Sequence, residues 1–506
     1  MSNPSSITVR NDETFAISDV ITTDVDRFRD EVIQSLAGGG RLAALFARPI
    51  GPSESQLTAV IASDSEASLQ VLVAATGPEY ASITTDCPQA HWFEREIWEQ
   101  SGVVPVGHPW RKPIRFQPPI ASSAGAAVQP RQPLACGVAD FFHMDGEEVH
   151  EVAVGPVHAG VIEPGHFRFQ CQGETVFHLE ISLGYQHRGV ERALIGGPGP
   201  RTIHYLETLA GDTSVAHATA YCRAVEALSG TRISARAQVI RGIAAELERV
   251  ANHIGDLGAL AGDIGYLPTM SFCGRIRGDV LNMTAMLCGN RFGRGLIRPG
   301  GVSCDMSAAT IEQLVRRVRT AAKDARVAVE LLWDSPSVMG RFEDTGTLSA
   351  DLAQEIGLVG VAARACGISR DVRQDFPSGI YSFAQIPVST WHTGDVFARA
   401  YVRWLEVQRS LAFVEEQLGA MPSGPIQRSL GALAPEKTVV TLGEGWRGEI
   451  CHVATTDSAG RFQHYKVVDP SFHNWFGLAM AMRNQPISDF PLCNKSFSLS
   501  YCGHDL

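Results

Sequence analysis

Two absences narrow the chemistry of this chain before any motif is read. Its eleven cysteines stand at 87, 136, 171, 222, 273, 288, 304, 366, 451, 493 and 502, and no two of them form a CxxC pair. An odd, dispersed set in so long a chain reads as reduced, mostly buried thiols, which excludes a disulfide scaffold. Long apolar runs are also missing. The best, LQVLVAATG at 69–77, is strand-sized, far short of the roughly 20 residues a helix needs to cross a bilayer. The opening MSNPSSITVRNDETF lacks the basic and apolar tandem of a secretory leader, so the expected location is cytoplasmic, with any membrane role carried by partners. No GxGxxG follows a strand, and Walker A, HExxH and GxSxG motifs are absent, which leaves nucleotide binding by this chain without support. A net charge of -11 supplies no basic face for nucleic acid.

What is present is ordinary in composition and distinctive in order. With 506 residues, 44% of them hydrophobic and 19% charged, the chain is long enough for two or more cored domains. Residues up to about 24 read as a loosely ordered lead. Helix spacing of Phe28, Val32 and Leu36 predicts a helix near 25–37, stopped by Gly38-Gly39-Gly40. The short runs LAALFARPI, QLTAVIAS, LQVLVAAT and ASITTDC predict a small sheet in a compact α/β unit. An acidic helix around Phe93, Ile97 and Trp98 follows, then a Gly/Pro-rich turn at Gly107-His108-Pro109. PPIASSAGAAVQPRQPLACG, 118–137, has no periodicity and marks the boundary, separating units at 1–117 and 140–506 across a linker at 118–139.

The second unit opens with a histidine-rich stretch. His158 and His166 sit in Gly- and Pro-punctuated turns. An alternating hairpin then runs through Phe167, Phe169 and Cys171, turns at Gln172-Gly173-Glu174, and returns through Val176, His178 and Glu180 to His187-Arg188 and Glu191. Beyond it, helices are predicted at 203–229 (interrupted or preceded by the polar LAGDTS), 235–261, 275–289, 308–334, 350–365 and 394–419, a bundle core. Strands return from about 438. The fold class is therefore α+β: an α/β unit fused to a mainly helical bundle with small sheets.

GPVHAGVIEPGHFRF followed by LGYQHRGVE resembles the large-subunit family shared by membrane-bound nickel–iron hydrogenases of the formate hydrogenlyase and hydrogenase-4 type and by the quinone-proximal subunit of respiratory complex I. Glu94-Arg95-Glu96 and Gly107-His108-Pro109 resemble the end of the 30-kDa-like domain of complex I, fused ahead of the large subunit. The family's metal is held by two CxxC pairs. Here Ala210 and Thr213 fall on the first pair, and the C-terminal DPCxxC is replaced by a tail with Cys493 and Cys502 nine residues apart. No metal site is therefore expected.

The resemblance implies a subunit of an NAD(P)H/quinone-type oxidoreductase complex. It would take electrons from a partner Fe-S small subunit, pass them to a quinone, and sit on the cytoplasmic face against membrane antiporter-like subunits. His166 and Tyr205 are the implied quinone ligands, an imidazole and a phenol that can donate hydrogen bonds to quinone oxygens. Asp212 is the implied proton-handling group. His158, His187 and Arg188 are implied to line the pocket. Glu246, Arg249 and His253 share a helix face by i,i+3 and i,i+4 spacing, which points to a polar network beside it. The competing expectation is a redox-silent subunit that couples a soluble module to a membrane ion-translocating arm.

Overall fold

The computed structural model describes residues 6–51, 53–117, 136–158, 160 and 162–506, so most of the 118–139 linker lies outside the described residues. The N-terminal unit is built on a sheet with neighbour order Ser6–Val9, Ser68–Thr76, Ser55–Ser63, Arg41–Pro49, all antiparallel, with Thr22–Thr23 added parallel to Ser68–Thr76. The helix Val25–Ala37 begins where Asp24 accepts from the Arg27 amide and ends at Gly38, burying Phe28, Val32 and Leu36. A second helix, His91–Ser101, stops at left-handed Gly102.

From Ser6 on, the lead is not loose. Ser6–Val9 joins the first sheet, and Thr14–Phe15 pairs with Thr438–Glu444, extending the C-terminal sheet of Phe462–Val468, Glu449–Thr456 and Thr438–Glu444. Local pattern cannot reveal a two-residue strand whose partner lies more than 400 positions away. The two units are also tied by buried charge. Glu96 accepts from Lys466 at 2.6 and 2.7 Å and pairs with Arg115, and Arg41 pairs with Glu449. Each of these is a carboxylate whose burial is repaid only by a directly bonded cation.

The hairpin forms as expected, His166–Gln172 against Thr175–Ser182, with a two-residue Gly173-Glu174 connection and a third strand, Val149–Val154, on its outer edge. Its inward Phe167 and Phe169 pack on Phe490. The helical body runs Thr202–Glu207, Ser214–Leu228, Ala235–Asp263, Leu267–Cys288, Ala308–Trp333 and Val396–Gly419. Leu267–Cys288 starts eight residues before the expected 275, with Pro268 in its first turn, where a missing amide costs nothing. The expected 350–365 helix is two short ones, Ala350–Glu355 and Gly360–Ala365, broken around left-handed Gly357. Among the described residues no helix is long and apolar enough to cross a membrane.

Candidate functional site

Four segments distant in sequence meet at one place: the turn before the hairpin, the loop 208–213, the 445–448 turn and the C-terminal tail. Arg188 joins two of them, donating to the Thr208 and Leu209 carbonyls at 2.6 and 2.8 Å and to the Cys502 carbonyl at 3.4 Å. Glu163, in the turn before the hairpin, accepts from the Tyr501 and Cys502 amides at 3.4 and 3.3 Å. His187 Nδ1 bonds the Asp505 carbonyl at 2.7 Å, and burial lowers its pKa. The loop is fixed from below by the Ala235–Asp263 helix. Asn252 donates to the Asp212 carbonyl at 2.9 Å, and Glu248 caps Ser214–Leu228 through the Val215 and Ala216 amides.

The two positions matched to the first cysteine pair are packed, not open. Ala210 is fully buried, and Thr213 is buried with its hydroxyl donating to Asp212. Over them lies Arg447, which donates to both Asp212 oxygens at 2.6 and 2.7 Å, to Thr213 Oγ1 at 3.2 Å and to the Ser498 carbonyl at 2.5 Å. Its guanidinium also stacks 3.9 Å over Trp446. Burial pushes the Asp212 carboxyl up, and Arg447 more than offsets this, leaving it below the usual carboxylate range. The turn that presents Arg447 needs a backbone approach only glycine permits: a Cβ on Gly448 would lie 2.8 Å from Gly360 Cα.

The tail cysteines do not meet. Cys502 lies against the Gly211 amide and Glu163, whereas Cys493 packs beside Arg399, and burial pushes each thiol up to about 11. The Arg447–Asp212 ion pair lies beside Ala210 and Thr213, the two positions the resemblance sets against the first cysteine pair. Among the described residues no group of three or more His, Cys, Asp or Glu side chains is arranged to hold a metal.

The expected quinone ligands sit differently. His166 is buried, its Nδ1 donating to the Gly155 carbonyl at 3.0 Å. That leaves Nε2 facing Arg168 across a long 3.4 Å contact, with Phe141 beside the ring. Arg168 is held mainly by Glu151 at 2.7 Å, so its bond to His166 Nε2 is the weaker of the two. His158 Nε2 bonds the Gly165 carbonyl at 3.1 Å and supports the same turn. Tyr205 is 37% exposed on the outer face of Thr202–Glu207, with no side-chain partner among the described residues.

The helix-face expectation of Glu246, Arg249 and His253 expands into a larger buried network. Glu246 accepts from Arg249, Arg373, Tyr381 at 2.6 Å and Ser410 at 2.6 Å. Arg249 donates to Glu406 at 3.1 Å and to the Glu444 carbonyl at 2.9 Å. His253 Nε2 donates to Glu406 at 2.9 Å, its ring edge-on to Trp446, and burial pushes it below its usual range. Arg364 bridges Glu406 and Glu444, each at 2.8 Å, and Arg373 is clamped by Asp371. Three arginines, 249, 364 and 373, face four carboxylates, 246, 371, 406 and 444. Burial and the charge of Asp371 push the Glu444 carboxyl up to about 7.

Arg447, Arg364, Arg373 and Glu406 were not among the sequence candidates. For Glu406 a signal existed: Arg399, Arg403, Glu406 and Ser410 recur at helical spacing on the buried stripe of Val396–Gly419. For Arg447 there was none.

The hairpin, the bundle core and the C-terminal tail of this α+β chain thus meet at one polar junction. Comparison with known proteins places it. The family described as the 49-kDa subunit of respiratory-chain NADH dehydrogenase matches residues 263–433, and the 30-kDa subunit family matches residues 30–121. Carbon monoxide-induced hydrogenase of Rhodospirillum rubrum is 30% identical over 69% of this chain and 96% of its own length. Formate hydrogenlyase subunit 5 of Escherichia coli is 28% identical over 86% of this chain and 78% of its own. An NADH-quinone oxidoreductase subunit of Bacteroides thetaiotaomicron is 28% identical over 74% of this chain and 75% of its own. The chain belongs to the family that unites these hydrogenase large subunits with the 49-kDa subunit of NADH dehydrogenase, and it carries a 30-kDa-type domain ahead of the large-subunit fold. Its relatives are subunits of hydrogenase and complex I-type oxidoreductases, a membrane-bound hydrogenase among them.

Proposed function

We propose that the chain is the nickel-free large subunit of a membrane-associated, complex I-like or hydrogenase-4-like redox complex, passing electrons from an adjacent Fe-S subunit to a quinone-like acceptor. The observation that carries the nickel-free part is the Arg447–Asp212 pair over Ala210 and Thr213. A thiolate is a soft, strongly donating ligand, and neither an alanine methyl nor a threonine hydroxyl replaces it. The acceptor part is supported by His166. Its Nδ1–H is spent on the Gly155 carbonyl, so an incoming quinone oxygen would approach the Nε2 edge of the ring, where Arg168 Nε lies at 3.4 Å. Relatives named as NADH-quinone oxidoreductase subunits support the same acceptor class.

A second reading, a redox-silent coupling role, draws on Tyr205, whose ring is exposed and has no side-chain partner among the described residues. The test uses the intact complex purified through a tag on this chain. Cluster absorbance and EPR are followed while a quinol is added, in wild type and His166→Ala. Cluster reduction that depends on His166 is expected. A complex with no cluster, or one whose cluster ignores quinol in both proteins, overturns electron transfer here and leaves the coupling role.

A further inference from the structure

Arg95 of the Glu-Arg-Glu segment and Pro109 of the Gly-His-Pro segment, which electron transfer at His166 does not use, line a cavity at the junction of the two units. The cavity measures about 370 Å³, within the range that holds small organic ligands. Its walls are aromatic to an unusual degree: His91, Trp92 and Trp110 from the N-terminal unit face Phe142, His178 and Phe476 from the second.

The polar groups sort into spent and unspent. Glu180 is spent, accepting from Lys112 at 2.6 Å, the Phe142 amide at 2.7 Å and Trp110 Nε1 at 3.3 Å. Arg95 donates to the Lys112 and Pro113 carbonyls, both at 2.9 Å, and no carboxylate bonds it directly. Unspent are Arg483, exposed at the cavity's edge without an ion pair or side-chain hydrogen bond among the described residues, and the ring nitrogens of His178. Trp92 Nε1 and His91 Nδ1 are buried without partners. The carboxylate here is neutralised, whereas one guanidinium is unpaired and the other is satisfied by neutral acceptors only. The site therefore calls for an acceptor-rich, negatively charged occupant with a flat apolar body, since ring stacking and charge-assisted hydrogen bonds are both on offer.

We propose that this junction cavity binds a planar aromatic carboxylate, its ring between the aromatic walls and its carboxylate on Arg483, at a site separate from His166. Such a ligand would bridge the two units and respond to their relative fit.

The experiment titrates naphthoate into the full chain at neutral pH, following tryptophan quenching and calorimetry, beside the uncharged naphthalenemethanol. Saturable one-site binding is expected. It should weaken about tenfold in Arg483→Ala, as expected for loss of one charge-assisted contact. It should vanish in Ala479→Trp, which fills the cavity, and stay unchanged in His166→Ala. Absence of saturable binding to the wild-type chain overturns the proposal, as does binding that survives Ala479→Trp with folding intact by near-UV circular dichroism. Equal affinity for naphthalenemethanol on the unmodified chain refutes the carboxylate assignment without recourse to any variant. Failure of the quinol experiment leaves this result untouched, because the two sites share no residue.

Discussion

Replacing Arg447 by methionine tests whether its ion pair organises the junction of the 208–213 loop with the C-terminal tail. The side chain is 6% exposed and donates to Asp212, Thr213 and the Ser498 carbonyl while stacking on Trp446. Breaking a fully buried pair by removing one partner costs about 3–5 kcal/mol. Asp212 is 35% exposed, so solvent recovers part of its charge, and the discounted expectation is about 2–3 kcal/mol. Removing both charges, with Arg447→Met and Asp212→Asn together, leaves no stranded carboxylate and should cost less than the single change. Denaturant unfolding of the full chain gives the magnitude, and amide exchange gives the location. Exchange should accelerate first in 208–213 and 498–506, the two segments Arg447 clamps together. A loss under about 0.5 kcal/mol, or faster exchange everywhere except those segments, would refute the assignment of Arg447 as the clamp.

Two further outcomes follow from the buried network. Glu246→Gln should destabilise by about 3 kcal/mol, because Arg373 and Arg249 keep their charge while Tyr381 and Ser410 lose a carboxylate acceptor; an unchanged denaturation midpoint would sink this. Glu444 sets a pH dependence. Its folded pKa, about 7, lies above the ordinary carboxyl value, so the folded chain holds a proton the unfolded chain releases. Stability is then greatest below the unfolded value and falls as pH rises through the window to about 7, by up to about 3 kcal/mol. Glu444→Gln should flatten melting temperature against pH across that window, and a slope equal to wild type would remove Glu444 as its source.

How much of this could be read from the residues depended on how far apart the partners lie. The hairpin was legible because Phe167, Phe169 and Cys171 alternate within one strand and Gly173 supplies the turn. Ala235–Asp263 was legible because Ile240, Ile243, Leu247, Val250 and Ile254 repeat on a single face. The start of Leu267–Cys288 was not, since Gly262, Gly265 and Pro268 look like punctuation until Pro268 is seen in a first turn. Glu246, Arg249 and His253 could be placed together by spacing, because they share a helix. That Glu246 also holds Arg373, 127 positions away, could not be. Asp212 could be singled out from its place in the loop, but Arg447 lies 235 positions on, in a turn that reads as polar surface.

Several links hold the 208–213 loop to the C-terminal tail in parallel. Here Arg188 joins loop carbonyls to Cys502, Arg447 joins Asp212 to Ser498, and Asp256 carries the tail's Ser498 hydroxyl back to the helical body through Arg403. Each is a charged group with its donors or acceptors directed at backbone or a fixed partner, the condition under which buried charge specifies one geometry. Because several such links act in parallel, the junction is expected to persist when any one is cut, at the cost worked out for Arg447. A single coordination centre would fail as a unit.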